Sequence, residues 1–248
     1  MENITISIQS KKTIIYLLSI MTVLLLFNIA VNFIYFITGH GNLLGLTPLF
    51  NFYDEKNIPT FFSAVILIFA SFLLFIIYYI IKKTKGVYRF HWLFLSIIFL
   101  FLSMDEILEL HEQLSSPIQR AINLLNGSLE YWGWIIPYSL LVIIFIISYL
   151  RFYLHLNKQF RILFALSALL FVTGAIGFEL IEGIYLSKHI SITNDFFVIR
   201  RTFPYFLMVT VEELLEMCGV ILFIYSLIEY ITSIPHDISL KFENLTKK

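Results

Sequence analysis

The sequence predicts an all-α, polytopic transmembrane helical bundle with about six spans and both termini in the cytoplasm. Three observations support this prediction. Apolar residues make up 59% of the 248 residues, charged residues only 14%, and mean hydropathy is +0.86, whereas soluble domains contain about 25% charged residues. The apolar residues lie in runs of the roughly 20 residues that cross a bilayer as a helix. Basic residues concentrate in alternate connections between these runs.

Six apolar segments meet this length, and glycine, proline or charged residues separate them. Together they form one membrane domain, residues 13–231, between cytoplasmic tails of residues 1–12 and 232–248. The first segment is longer than the roughly 7–15 apolar residues of a signal peptide and lacks a small-residue cleavage site, so we expect it to be retained. In chain order, the segments are 13–38, 61–81, 91–111, 132–150, 162–187 and 205–230.

The orientation of the spans follows from the basic residues. If the N-terminus is cytoplasmic, twelve of the seventeen Lys and Arg residues lie on the inner side, and this excess is typical of cytoplasmic segments. The net charge is zero, and no basic run is long enough for a nucleic-acid interface. The single cysteine, Cys218, excludes an intrachain disulfide.

Carboxylates are concentrated in three of the six predicted spans. An ionised carboxylate at a span centre costs about 2.5–3.5 kcal/mol on insertion scales, so each needs a partner, a proton or a water-filled cavity. Nine of the seventeen acidic residues lie in or near the ends of these spans: Asp105, Glu106, Glu109 and Glu112 in the third, Glu179 and Glu182 in the fifth, and Glu212, Glu213 and Glu216 in the sixth.

Helical spacing predicts that these acids meet. Residues three and four apart share a helix face, so each of the three spans presents a face with two or three carboxylates. Given the direction of each span, all three faces reach the outer half of the bilayer. We therefore expect the faces to point at one another. Gly174, Gly177 and Gly183 in the fifth span favour close helix packing beside the acids.

Two classes of site explain such a cluster. Paired E-x-x-E faces are similar to the carboxylate framework of di-iron and di-manganese bundles, and an all-oxygen ligand set favours Ca²⁺, Mn²⁺ or Mg²⁺ over zinc. Without metal, the acids would form a proton relay or the site of a proton- or cation-coupled transporter or channel. Bland alternatives are acids that extend to the lipid headgroups, and acids that hydrogen-bond to Asn28, Asn32, Ser103 or Thr173.

Two further features bear on the site. In a continuous third helix, His111 points away from the face that carries Asp105, so it joins the site only from a frayed helix end. Arg200 and Arg201, just before the sixth span, are either interfacial anchors or receptors for a lipid or substrate phosphate.

Two stretches of sequence carry a family resemblance. Ile58-Pro59-Thr60 leads through Ser63 into the second span, and an S-x-D-E-x-x-x-x-H-E segment, Ser103 to Glu112, ends the third. With the later acidic segments, they resemble a family of uncharacterised bacterial multi-pass membrane proteins over most of residues 50–230. The resemblance implies a bacterial inner-membrane location. It also implies that position 109 is variable and that Asp54, Glu55 and Asn57 form a lid over the cluster.

We predict that the site binds one or two divalent ions of unknown identity and expect an enzyme acting on a lipid or lipid-linked substrate, with the bilayer and that lipid as the partners. His111 and Glu112 are the candidate catalytic residues, as ligand or general base for metal-bound water. A transporter and a structural or sensory membrane partner remain alternatives. The candidate metal ligands are Asp105, Glu106, Glu179, Glu182, Glu212, Glu213 and Glu216.

Overall fold

A computed structural model describes residues 9–39, 42–111, 113, 135–193, 198–199 and 201–234. The described residues form helices and short connections, and no strand occurs among them. The structure therefore confirms the all-α prediction for this part of the chain. The first three residues of the predicted fourth span, 132–134, lie outside it.

The helices run antiparallel to their neighbours along one common axis. A 3₁₀ turn, Leu43–Gly45, precedes α2, and a π-helical segment, Thr173–Phe178, joins α6 directly to α7. We call the end of the bundle that carries the connection 42–57 the loop end, and the other the opposite end. The α-helices are α1 Ser10–Thr38, α2 Leu46–Phe50, α3 Ile58–Lys83, α4 Arg89–Leu108, α5 Ile135–His155, α6 Lys158–Val172, α7 Glu179–Thr193 and α8 Phe203–Ser233.

Five helical stretches in the described part of the chain are long and apolar enough to cross a membrane. Their many exposed Ile, Leu and Phe side chains fit an integral membrane protein. The sixth predicted span corresponds to α8, a helix of 31 residues that is not among the five. The five stretches are Ser10–Thr38, Ile58–Lys83, Arg89–Leu108, Ile135–His155 and Lys158–His189, the last containing α6, the π segment and most of α7.

Helix α8 is the centre of the bundle and packs against α1, α3 and α6. Its half toward the opposite end is almost wholly apolar and buried, and Ile224 and Leu227 are completely inaccessible. Aromatic rings join it to its neighbours, with Phe223 in contact with Phe99 of α4 and Phe164 of α6. The loop-end half of the same helix carries the acids.

Polar contacts fix the start of α3 at the loop end. The Asn57 side chain accepts a hydrogen bond from the Thr60 amide at 3.1 Å, and Pro59 lies in the first turn, both of which favour a helix N-terminus. The Asn57 amide group also donates to the Asn51 carbonyl at 2.7 Å. The connection before α3 is therefore folded back on the helix.

Close approach between α6 and α8 depends on Gly219. A Cβ atom at this position would lie 2.8 Å from the Phe171 amide nitrogen and 2.9 Å from the Ser167 carbonyl oxygen. Both are backbone atoms of α6, so they cannot rotate away. Gly177, by contrast, has open space around it, with the first neighbour, a Thr173 methyl group, at 3.7 Å.

We expect Gly219→Ala to destabilise the protein by about 1–3 kcal/mol, because the added methyl group forces α6 and α8 apart. The measurement is the free energy of unfolding in detergent micelles. Gly177→Ala is the matched control and should be neutral or stabilising, since alanine favours helix over glycine. Equal losses for the two variants would contradict the packing described here.

Candidate metal centre

Three carboxylates form the tightest acidic group in the described part of the chain. One oxygen from each of Glu179, Glu182 and Glu212 lies within 4.8 Å of the others. Glu182 is only 4% exposed. Glu212 and Glu182 are joined by a side-chain hydrogen bond, which requires a proton on one of them because ionised carboxylates only accept. We call these three residues the acidic triad.

Further carboxylates of α4 and α8 surround the triad. Glu213 interacts electrostatically with Glu106 and with both triad acids of α7. Glu216 interacts with Glu106, Asp105 and Glu179. The acidic faces of α4, α7 and α8 therefore do point at one another, and we call the full set the carboxylate cluster. Its members are Asp105, Glu106, Glu179, Glu182, Glu212, Glu213 and Glu216.

The π segment brings the acids of α7 into this cluster. Ser167 and Phe171 face α8 at Gly219, and Gly174 continues the same face three residues later. In an uninterrupted α-helix the next positions on this face would be 177 and 178. The wider π turn delays the face by one residue, and Glu179 takes the place that Phe178 would have. Glu182 follows three residues later.

Gly174 lets the two helices touch at the cluster itself. A Cβ atom here would lie 2.7 Å from Cγ of Glu216 and 2.9 Å from the Glu212 carbonyl oxygen. The prediction that glycine permits close packing beside the acids thus holds for Gly174, whereas Gly177 has no such contact. The triad forms because no side chain separates the π segment from α8.

Helix α4 ends earlier than the sequence predicts, and this corrects the expectation for His111. The predicted span continues to residue 111, but the helix stops at Leu108 and Glu109 adopts a left-handed conformation with φ 53°. The chain then turns back. The His111 amide donates to Oδ1 of Asp105 at 2.9 Å, and its ring Nδ1 lies 3.3 Å from Oδ2. His111 therefore contacts the acid it was expected to point away from.

The charge state of His111 follows from these contacts. Burial disfavours the imidazolium and by itself lowers the pKa of His111. The hydrogen bond and charge of Asp105, together with the charges of Glu55 and Glu179, outweigh burial and raise the pKa to about 9. His111 is thus a cation beside the cluster at neutral pH.

The connection before α3 covers the α4 side of the cluster. Oε1 of Glu55 lies 4.0 Å from Nε2 of His111, and Nζ of Lys56 lies 2.8 Å from a carboxylate oxygen of Glu109. Glu109 thus faces the connection and not the triad, in keeping with its resemblance-based exclusion from the site. The Asn57 side chain caps α3 instead of facing the cluster.

Several other candidates lie elsewhere. Glu112 and Arg200 fall outside the described residues, as does the short helix that residues 116–125 could form. Three proposed hydrogen-bond partners of the acids have other contacts: Ser103 donates to the Ala64 carbonyl, Asn28 to Thr210 and Asn32 to Asn51. Glu229, a further acid of α8, accepts from Ser10 at 2.6 Å at the opposite end.

Sequence reasoning did not find Glu55 as a neighbour of His111 except through the family resemblance, and it missed Tyr138. The Tyr138 hydroxyl lies 3.4 Å from both carboxylate oxygens of Asp105. A tyrosine near a span end is ordinary in membrane proteins, so no local signal distinguishes it. Only the packing of α5 beside α4 identifies it.

Comparison with known proteins identifies the family. Residues 15–230 match the model of a family described as a domain of unknown function, DUF8692. The chain belongs to this family. The match agrees with the resemblance to an uncharacterised family and covers the whole candidate centre. No curated protein and no solved structure matches the chain.

We expect His111 to titrate with a pKa of about 9 in protein freed of metal with a chelator. Because this lies above the usual value of 6.5, His111 stabilises the fold fully below about pH 6.5 and loses this effect as pH rises through about 9. Asp105→Asn removes the hydrogen-bonded charge and should lower the pKa. Histidine NMR measures both titrations, with His111→Gln identifying the signal.

Glu229→Gln is the control for this titration, since it removes an acid of α8 remote from His111. A His111 midpoint at or below 6.5 in the otherwise unaltered protein, or one that Asp105→Asn leaves unchanged, would contradict the contact with Asp105.

Proposed function

We propose that the acidic triad, with the surrounding carboxylates, binds a divalent cation, and that this centre is the functional site of an integral membrane protein. The carrying observation is the convergence of Glu179, Glu182 and Glu212 within 4.8 Å. Carboxylates so close repel one another when ionised, and a cation removes that repulsion. In the described part of the cluster the cationic neighbour is His111, against seven carboxylates.

The ligand chemistry favours a hard cation. The triad offers only oxygen ligands, as Ca²⁺, Mg²⁺ and Mn²⁺ prefer. Opposite ligands of Ca²⁺ at about 2.4 Å are about 4.8 Å apart, and those of Mg²⁺ at about 2.1 Å are about 4.2 Å apart. The separation within the triad is compatible with either. Glu106, Glu213, Glu216 and Asp105 are positioned around the triad as further ligands or as hydrogen-bond partners of ligands.

The reaction we propose is metal-dependent chemistry on a lipid or lipid-linked substrate at the outer side of the membrane. Asp105 orients the His111 ring, whose other nitrogen faces Glu55. This arrangement suits a residue that holds or moves a proton at the rim of the centre. Glu112 is adjacent in sequence and is proposed to share that role.

A one-sided site is favoured over a transport path. A transported cation needs polar groups beyond the triad, toward the opposite end of the bundle. There α8 presents Met217, Val220, Ile221 and Ile224, all buried and apolar. This closed packing supports an enzyme or a resident cation site in preference to a channel.

For topology, we propose six spans, with α8 as the last, and both termini on the cytoplasmic side of a bacterial inner membrane. The hydrogen bond between Ser10 and Glu229 supports this, because it brings the beginning of α1 and the end of α8 to the same end of the bundle. The excess of basic residues in the connections at that end supports a cytoplasmic location.

The cation site is tested by elemental analysis of protein purified without chelator and equilibrated with Mn²⁺, Ca²⁺ or Mg²⁺. We expect at least one bound ion per chain. Glu182→Gln and Glu212→Gln should each weaken binding by at least about 10–100-fold, the effect of losing even an indirect ligand partner. Glu229→Gln, in the same helix, should bind as the unaltered protein does.

Absence of bound divalent ions under all three conditions would contradict this function. So would equal binding by the triad variants and the Glu229→Gln control, since binding would then occur elsewhere on the chain.

The topology is tested with single cysteines introduced into a Cys218→Ala background. Leu44 is fully exposed at the loop end, and Lys83 is exposed at the opposite end. We expect a membrane-impermeant maleimide to label Leu44→Cys in intact cells and Lys83→Cys only after permeabilisation. The reverse pattern would overturn the orientation, and labelling of both in intact cells would overturn the six-span arrangement.

A further inference from the structure

A second polar site lies at the loop end, separate from the carboxylate cluster. A cavity of about 100 Å³ is enclosed by α1, the connection 42–57 and the start of α8. This volume exceeds the space one water needs by several-fold, so the cavity admits a group of several atoms. None of the cluster acids lines it. Its polar lining includes Asn28, Asn32, Thr47, Asn51, Asp54 and Arg201.

Hydrogen bonds hold one wall of the cavity in place. The Asn28 amide donates to the Thr210 hydroxyl at 3.0 Å, and the Asn32 amide donates to Oδ1 of Asn51 at 3.1 Å. The Asn51 amide donates in turn to Asp54 at 3.3 Å. These links join α1, α8 and the connection, so the wall is preorganised for a polar guest.

Thr47 points to a missing ligand. Its side chain is 9% exposed and lines the cavity, yet its buried hydroxyl has no hydrogen-bond partner in the structure. Leaving such a hydroxyl unpaired costs about 1–3 kcal/mol. A polar group bound in the cavity would supply the partner.

Arg201 supplies a positive charge at the same cavity. Its guanidinium lies 5.7 Å from the centre of the Tyr35 ring, and it forms no ion pair with any residue that the structure describes. The aromatic contact orients the planar guanidinium and leaves its donors available. A guanidinium in this state matches the paired oxygens of a phosphate.

The border of the cavity is apolar. Phe36 and Phe206 line it, and their rings are 5.8 Å apart. Phe203, whose ring is 5.9 Å from that of Phe36, is 59% exposed on the bundle surface. In a membrane this surface faces acyl chains. A ligand that fits both the cavity and its border is therefore polar at one end and apolar at the other.

We propose that this cavity binds the phosphate-bearing headgroup of an amphipathic molecule. Arg201 binds the phosphate oxygens, the Thr47 hydroxyl bonds a headgroup oxygen, and the apolar part lies along Phe36 and Phe203. The same phosphate chemistry could be supplied by a membrane lipid or by a soluble phosphate ester. The site requires no cation in the acidic triad, so it stands or falls separately from the proposed metal centre.

Binding is measured as the shift in unfolding temperature of the full chain in detergent, titrated with defined probes. Dioctanoyl phosphatidylglycerol tests the lipid source, glycerol 3-phosphate the soluble source, and dioctanoylglycerol lacks the phosphate. We expect saturable stabilisation by dioctanoyl phosphatidylglycerol and none by dioctanoylglycerol. Equal affinity for glycerol 3-phosphate would support the same site with a soluble ligand.

Two variants identify the cavity as the binding site. Arg201→Gln should weaken binding of dioctanoyl phosphatidylglycerol at least 10-fold. Thr47→Val should weaken it several-fold without lowering the unfolding temperature of unliganded protein, because the hydroxyl it removes is unpaired. Arg89→Gln is the matched control, since Arg89 is also exposed and lies over an aromatic ring, 4.9 Å from the centre of Phe90.

The proposal is overturned if neither phosphate-bearing probe binds saturably. It is also overturned if Arg201→Gln and Arg89→Gln bind the probe equally, because the exposed Arg201 can be replaced without disturbing the fold.

Discussion

The backbone contact between Gly174 and α8 is the constraint on which the candidate centre depends. Helix α7 can present Glu179 and Glu182 to Glu212 only where the π segment lies directly against α8. A side chain at position 174 would occupy the space of the Glu216 side chain. The π turn then adds the one-residue delay that brings Glu179 onto the contact face. Packing and chemistry are therefore set by the same few residues.

This contact holds acids together that would otherwise repel one another. Buried like charges destabilise a fold unless protons or cations neutralise them. The shared proton between Glu182 and Glu212 and the cationic His111 answer part of that requirement. A divalent ion answers the rest, and it also explains why the acids of three helices converge on one region instead of facing separate solvent or headgroup surroundings.

The sequence predicts the helices and the convergence of acids well, because both depend on spacing. Apolar length defines the spans, and acids three residues apart, as at Glu179 and Glu182, share a face. The turn at Glu109 could not be predicted, because a left-handed glutamate has no local signature and only its tertiary contacts stabilise it. The π segment is equally hidden, since Gly174 and Gly177 are also typical of ordinary helix packing. The cavity near Arg201 depends on Thr47 and Asn51, whose connection follows from no periodic pattern.

The metal centre and the phosphate cavity are adjacent without sharing residues. Asp54 lines the cavity, and the next residue, Glu55, faces His111. The most direct test of the metal centre is anomalous diffraction from crystals grown with Mn²⁺. The account predicts a manganese peak within about 2.6 Å of carboxylate oxygens of Glu179, Glu182 and Glu212. No manganese peak at these carboxylates, in crystals where the three side chains keep this arrangement, would contradict it.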